Sequence, residues 1–235
     1  MRAPSSLHVA RPVMYHQWSE ITFLHWRCPP AVVQALVPGS LTVETFDGSA
    51  WVGLTPFLME GVRVPGLPAV PWLSRFPETN VRTYVRDDLG RRGIWFLSLD
   101  AGRLTAALGG RAGFWLPYFW SDMSVRVGGG RVRYRCRRHG NGARCDAEVA
   151  TGPLLPAGEV DELALFLTAR YRLFTVVAGR TARARVEHPP WPLRRAELTR
   201  LDQDLVQAAG LPAPQGPPVV HASSGVPVRV GMWTW

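Results

Sequence analysis

The sequence predicts a mainly β protein of the α+β type. The expected form is an antiparallel sheet curled into a cone or barrel around a central pocket, with a few peripheral helices. Three observations carry this expectation. Short segments that alternate apolar and polar side chains follow one another along most of the chain. Gly, Pro, Asp-Gly and Asn-Gly turns separate them. There is no internal repeat, low-complexity tract or linker, so the 235 residues suit one domain, with roughly residues 1–12 as an N-terminal tail.

In order along the chain, residues 19–26 read as a first strand. Pro29-Pro30 open a short helix over 31–37, because proline is tolerated in a helix's first turn. Residues 41–46 and 50–59 form a hairpin around Asp47-Gly48. Residues 60–77 are a long apolar loop with four prolines and Trp72, either packed down or acting as a lid. Strands at 79–86 and 93–99 are joined by residues 87–90, and further strands are expected at 111–116, 123–128 and 131–138. In the last of these Arg131, Arg133, Arg135 and Arg137 share one face, and Val132, Tyr134 and Cys136 the other. Asn141-Gly142 turns the chain into 143–149, and a two-residue loop there sets Arg137 opposite Asp146 and Arg135 opposite Glu148. Helices are expected at 159–171, from Val160, Leu163, Leu167 and Tyr171, and at 194–209, from Leu198, Leu201 and Leu205. Strands at 173–178, 181–188 and 226–234 complete the set.

Composition bounds the function. All 27 basic residues are arginine, against 18 acids, for a net charge of +9. Such a charge suits nucleic acid or an anionic surface. Here the arginines are dispersed among acids, and the 131–137 stripe has acids set opposite and no aromatic on its face, so nucleic acid is not the expected partner. Three cysteines with no CxxC spacing fit a reducing cytosol. The N-terminus leads to no signal-peptide core. The longest segment free of acids and arginines, Leu205 to Val228, is broken by five prolines and cannot span a membrane as a helix. The expectation is a cytoplasmic protein with a small-molecule partner and no membrane partner. Six histidines form no HxH or HExxH pair, so no metal and no cofactor is expected.

The segment Phe76 to Val85 is chemically the most pointed. On a strand, Glu78, Asn80, Arg82 and Tyr84 line one face: an acid, an amide, a guanidinium and a phenol in a row. Each can meet a different ligand atom. The competing reading is an exposed strand with a weak Glu78–Arg82 pair. Downstream, residues 113–120 hold five aromatics in eight positions, mostly core packing. Tyr118 is the exception, since its hydroxyl needs a partner if buried, either a ligand oxygen or Glu78.

The runs Phe46 to Phe57, Phe76 to Val85, Trp95 to Ala101, His188 to Leu193 and Gly225 to Val228 resemble the YqjF-like domain of unknown function. The resemblance covers almost the whole chain from about residue 13. That family is in turn similar to acetoacetate decarboxylase, which implies a cone-like antiparallel β-structure around a buried pocket. The decarboxylases carry an Arg followed six residues later by Pro-Lys-Lys. The matching residues here are Arg111, Pro117, Tyr118 and Phe119, so both lysine positions hold aromatics. The resemblance sets Glu78 at the family's pocket glutamate and Thr55 at a second pocket acid. It implies small-molecule chemistry without an imine, because no lysine exists to form one. A homo-oligomer is one implied option.

Together these readings give a pocket for a small, partly apolar carboxylate or carbonyl compound. Glu78 and Tyr118 are the candidate catalytic pair. Asn80, Arg82, Tyr84, Arg111, Phe119 and Thr55 are the candidate binding residues, with Arg82 holding the anion. Any reaction would be proton transfer. The alternative is a non-catalytic ligand-binding or interaction protein that kept the cavity.

Overall fold

The structure, a computed structural model, describes residues 8–235. Its thirteen strands form one sheet. They are β1 (Pro12–Cys28), β2 (Leu41–Val43), β3 (Thr45–Phe46), β4 (Ser49–Arg63), β5 (Phe76–Asp87), β6 (Arg92–Ala101), β7 (Tyr118–Gly128), β8 (Arg131–Arg138), β9 (Arg144–Leu154), β10 (Arg172–Val177), β11 (Arg180–Glu187), β12 (Leu193–Gln203) and β13 (Val219–Gly231). Four short helices accompany them: α1 (Pro30–Gln34), α2 (Leu104–Phe114), α3 (Glu162–Thr168) and α4 (Leu205–Ala208).

The sheet closes on itself twice. One circuit runs β6-β7-β8-β9-β12-β13-β1-β4-β5 and back to β6. A second runs β13-β1-β4-β5-β6-β10-β11 and back to β13. Closure removes open edges from the central strands. Strands β13, β1, β4, β5 and β6 belong to both circuits, and β4 and β5 at their centre are buried on both faces. On one face Leu24, Leu54 and Val81 pack against Val132, Tyr134, Cys136 and Ala147 from β8 and β9. The other face carries Glu78, Asn80, Arg82 and Tyr84, and β5 is buried almost throughout. This excludes the exposed-strand reading of that segment.

β1 changes face part-way along. It holds one extra residue between Ser19 and Leu24 relative to β4, and Glu20 adopts a left-handed φ of 47°. Trp18 and Ile21 therefore join the same interior cluster although three positions separate them. Across the ladder, Gly225 has φ 121°. A Cβ there would lie 1.9 Å from the Trp18 carbonyl oxygen, so only glycine fits.

Several expected elements take another form. Residues 194–209 are not a helix: β12 runs through them and ends at the single turn of α4. A bulge between Leu198 and Arg200 inserts one residue, so Leu198 and Leu201 both reach the core from a strand. The insertion makes a strand imitate helical spacing. Residues 111–116 are not a strand either. They hold the end of α2, which stops at Trp115 with φ 50°, and β7 begins only at Tyr118. The helix expected at 159–171 shrinks to α3, capped by Asp161, whose carboxylate accepts from the Ala164 amide at 2.7 Å.

The β8–β9 register also differs. Arg138 N–H donates to the Ala143 carbonyl, so the loop holds four residues, 139–142, rather than two. Arg135 thus faces Asp146, Arg133 faces Glu148, and Arg137 faces Arg144. The arginine stripe is largely exposed and paired in part with acids: Arg133 with Asp146 and Arg131 with Glu148, each at 2.8 Å. No helix among the described residues is long and apolar enough to cross a membrane.

Candidate functional site

The strand register builds the site. β4 and β5 pair Phe57 with Glu78, Thr55 with Asn80, and Gly53 with Arg82, while β1 sets His25 opposite Gly53. Directly opposed residues share a face. One interior wall therefore carries Glu78, Asn80, Arg82, Thr55 and His25, all buried.

At one end of this wall the Tyr118 hydroxyl donates to the Glu78 carboxyl at 2.9 Å. Tyr118 arrives from β7, whose first residue lies beside Leu99 of β6. Its ring is held by α2, where Gly110 lets the helix lie directly on it. A Cβ at Gly110 would come within 2.3 Å of the ring. Tyr118 also lines a cavity of about 400 Å³ between α2, the loop 64–75 and the ends of β1 and β4. Met59, Val62, Leu67, Leu73, Phe76 and Phe114 make most of its wall apolar. Burial pushes the Glu78 carboxyl up to about 8, and the nearby Asp100 carboxylate adds to this. Hydrogen bonds from Tyr118 and Asn80 oppose it. Burial and the Glu78 charge hold the Tyr118 phenol well above its ordinary range, so it stays neutral. Glu78 thus changes charge near neutrality beside a neutral phenol that faces an apolar chamber.

Arg82 stands further along the wall. Its guanidinium lies over the rings of Phe23, at 5.2 Å, and Tyr84, at 5.8 Å. Among the described residues it pairs with no carboxylate, and its Nε has no partner. The Thr55 hydroxyl and the Asn80 carbonyl oxygen are likewise buried without partners. Buried polar atoms are normally satisfied, so this concentration on one wall is unusual. None of these three side chains lines the cavity that Tyr118 lines.

Other candidates are placed elsewhere. Tyr84 is tied into the surrounding core: its hydroxyl donates to the Leu167 carbonyl at 2.7 Å and contacts His25 Nε2 at 2.5 Å. Arg111 is exposed, its Nε donating to the Tyr118 carbonyl at 2.5 Å, so it steadies the backbone from outside. Phe119 points away from the cavity, its ring between the guanidinium groups of Arg111 and Arg138. Behind it, Arg138 grips Asp100 through two bonds of 2.9 and 2.7 Å in a fully buried pair, and Ser121 donates to the same carboxylate.

Two histidines join the site that sequence patterning did not assign to it. Since the Tyr84 hydroxyl gives its proton to Leu167, His25 Nε2 is the donor to Tyr84, which leaves His25 Nδ1 an unpartnered acceptor. Burial, and then the Arg82 charge, keep His25 neutral. His16 lines the cavity, and burial lowers it to about 4. His25 alternates with Phe23 in the strand pattern and was legible as an inward residue. His16 reaches the same interior only through the bulge at Glu20. Among the described residues no group of three or more His, Cys, Asp or Glu is placed to hold a metal ion.

Comparison with known proteins agrees with this architecture. The model of a family described as uncharacterized conserved protein, DUF2071, matches residues 15–227. The uncharacterized protein YqjF of Bacillus subtilis (strain 168) is 35% identical over 211 residues, which cover 89% of this chain and 86% of that protein. Among solved structures, acetoacetate decarboxylase from Legionella pneumophila superposes with a TM-score of 0.66 at 14% identity, over 100% of this chain and 92% of that one. An acetoacetate decarboxylase-like enzyme from Sphingomonas wittichii RW1 gives 0.65 at 14% identity, over 96% and 93%. The enduracididine biosynthesis enzyme MppR, complexed with pyruvate, gives 0.61 at 16% identity, over 95% and 90%. At such identities the likeness is one of fold.

Proposed function

The chain belongs to the DUF2071 family of uncharacterized conserved proteins, and we propose that it binds a small, partly apolar carboxylate or carbonyl compound and moves a proton to or from it. The observation that carries this reading is the Tyr118–Glu78 hydrogen bond at the edge of an apolar cavity. A carboxyl that titrates near 8 can give or take a proton at neutral pH. The neutral phenol can pass that proton to a ligand oxygen without itself ionising. Apolar walls exclude water and strengthen both interactions. Enolisation, hydration and lactone opening all fit such a pair. An imine does not, because the chain contains no lysine. Arg82 is the group that would hold an anion, by its charge and its lack of a carboxylate partner. The MppR neighbour, which holds pyruvate, supports an oxo-carboxylate as the kind of compound to try first.

One observation favours binding without turnover. Arg82, Thr55 and Asn80 stand outside the cavity that Tyr118 lines, so an anion on Arg82 would need to reach past Glu78 to meet the phenol. Exchange of α-hydrogens into heavy water, followed by NMR across a panel of small 2- and 3-oxo carboxylates, separates the readings. Under the acid–base reading Glu78→Gln abolishes exchange and leaves binding within about twofold, and Tyr118→Phe slows it. Arg82→Ala weakens binding by roughly 1.5–3 kcal/mol. Full exchange activity in Glu78→Gln would assign the carboxyl a structural role and leave the binding-only reading.

A further inference from the structure

We propose that the surface around the cavity mouth docks on an anionic lipid bilayer, so that the cavity opens toward the membrane surface. Two segments form this rim, the loop 64–75 and α2. Both line the cavity and carry large apolar side chains that are exposed around its mouth. In the loop, Trp72 is 66% and Leu67 61% exposed, with Val64 and Val70 beside them. On α2, Leu108 is 55% and Leu104 45% exposed. A large patch of this kind, set around the entrance to an apolar chamber, is unusual on a surface that faces only water. Tryptophan and leucine are side chains that partition into the boundary between headgroups and acyl chains.

The charge pattern selects the occupant. Residues 61–77 and 102–119 contain no Asp or Glu, although the chain has 18. They carry four arginines: Arg63, Arg75, Arg103 and Arg111, all exposed. Arg75 pairs with Glu60. Arg63 and Arg111 bond to backbone carbonyls instead, of Gly61 and Tyr118. Elsewhere three of the four arginines of the β8 stripe pair with acids, Arg131 with Glu148 and Arg133 and Arg135 with Asp146. The rim is thus apolar at its centre and cationic at its edge, with Glu60 beside it neutralising Arg75 alone, which complements an anionic bilayer. A second copy of the chain is disfavoured as the occupant, since two such rims would bring like charges together with nothing to neutralise them. The proposal does not rest on the acid–base reading of Glu78. It concerns how a ligand reaches the cavity, and it involves surface docking, not spanning.

The test is co-sedimentation of the full chain with vesicles of phosphatidylcholine alone and of phosphatidylcholine with 30% phosphatidylglycerol, mixed at about 7:3 on the scale of anionic cytoplasmic leaflets. Binding is expected on the anionic vesicles, at least about tenfold tighter than on the neutral ones, and weaker as salt shortens the screening length. Arg63→Glu with Arg103→Glu should reduce partitioning by roughly thirtyfold or more, taking about fivefold per arginine. Leu67→Ser with Trp72→Ser should reduce it by at least about tenfold through lost apolar insertion. All four residues are exposed, and circular dichroism and thermal melts check that the variants stay folded. Failure to bind anionic vesicles overturns the proposal, as does equal partitioning of the wild type and the Leu67/Trp72 variant. Light scattering that showed a dimer lost on Trp72→Ser would assign the rim to a subunit interface instead. Capture of an acidic peptide with no vesicle binding would assign it to a protein partner.

Discussion

Replacing Glu78 with glutamine should change how stability depends on pH, and the size follows from the site. The carboxyl titrates near 4.5 in the unfolded chain and near 8 when buried in the fold. Between those values the folded state holds a proton that the unfolded state has released. Stability therefore falls as pH rises through this window, with a limiting slope of about 1.4 kcal/mol per pH unit. Below the window the group contributes no pH dependence, and above it the full penalty is reached. At pH 7 the penalty is on the order of 3 kcal/mol. Glutamine keeps the shape and can accept from Tyr118, but it cannot ionise. Glu78→Gln should thus exceed the wild type by only about 1 kcal/mol near pH 5 and by about 4 kcal/mol near pH 8. The assay is urea unfolding of both proteins at pH 5, 6, 7 and 8, with the difference plotted against pH. Taking the difference cancels the buried histidines, His16 and His25. Their depressed titration acts in the opposite direction, costing stability as pH falls below the ordinary histidine range. A difference that stays flat over pH 5–8 would refute the account of a carboxyl kept neutral by burial.

Three further outcomes can be checked. Asp100→Asn breaks the buried pair with Arg138 and leaves a guanidinium without its counter-charge, so it should cost about 3–5 kcal/mol in urea unfolding. Gly225→Ala forces a Cβ against the Trp18 carbonyl at a φ that suits glycine, and should cost about 3 kcal/mol or more, seen as a lowered Tm. Borohydride treatment in the presence of acetoacetate should leave every side chain unmodified by mass spectrometry, because a side-chain imine needs the lysine this chain lacks.

Much of the fold was legible because local pattern and tertiary demand agreed. Alternation along β4, β5, β8 and β9, and the Asp47-Gly48 turn, describe strands whose two faces meet different surroundings. The row Glu78, Asn80, Arg82 and Tyr84 could be read as one face because strand periodicity alone orders it. The composition excluded a side-chain imine outright, since the absence of lysine holds whatever the fold.

Tertiary structure decided what periodicity cannot carry. Bulges shift the count by one, so β12 looked helical through Leu198 and Leu201, and His16 was hidden from the interior it joins. Chain pattern could not say that β1, β4 and β5 belong to two closed circuits, which is why it left open whether the polar face of β5 is exposed or buried. It also could not separate Tyr118 from Phe119. They are neighbours in sequence, but adjacent strand residues point to opposite faces. One therefore meets Glu78 and the other stacks between two arginines. The apolar rim arose in the same way. Residues 64–75 and α2 are far apart in sequence, and only the packing of α2 on Tyr118 brings their exposed side chains around one cavity.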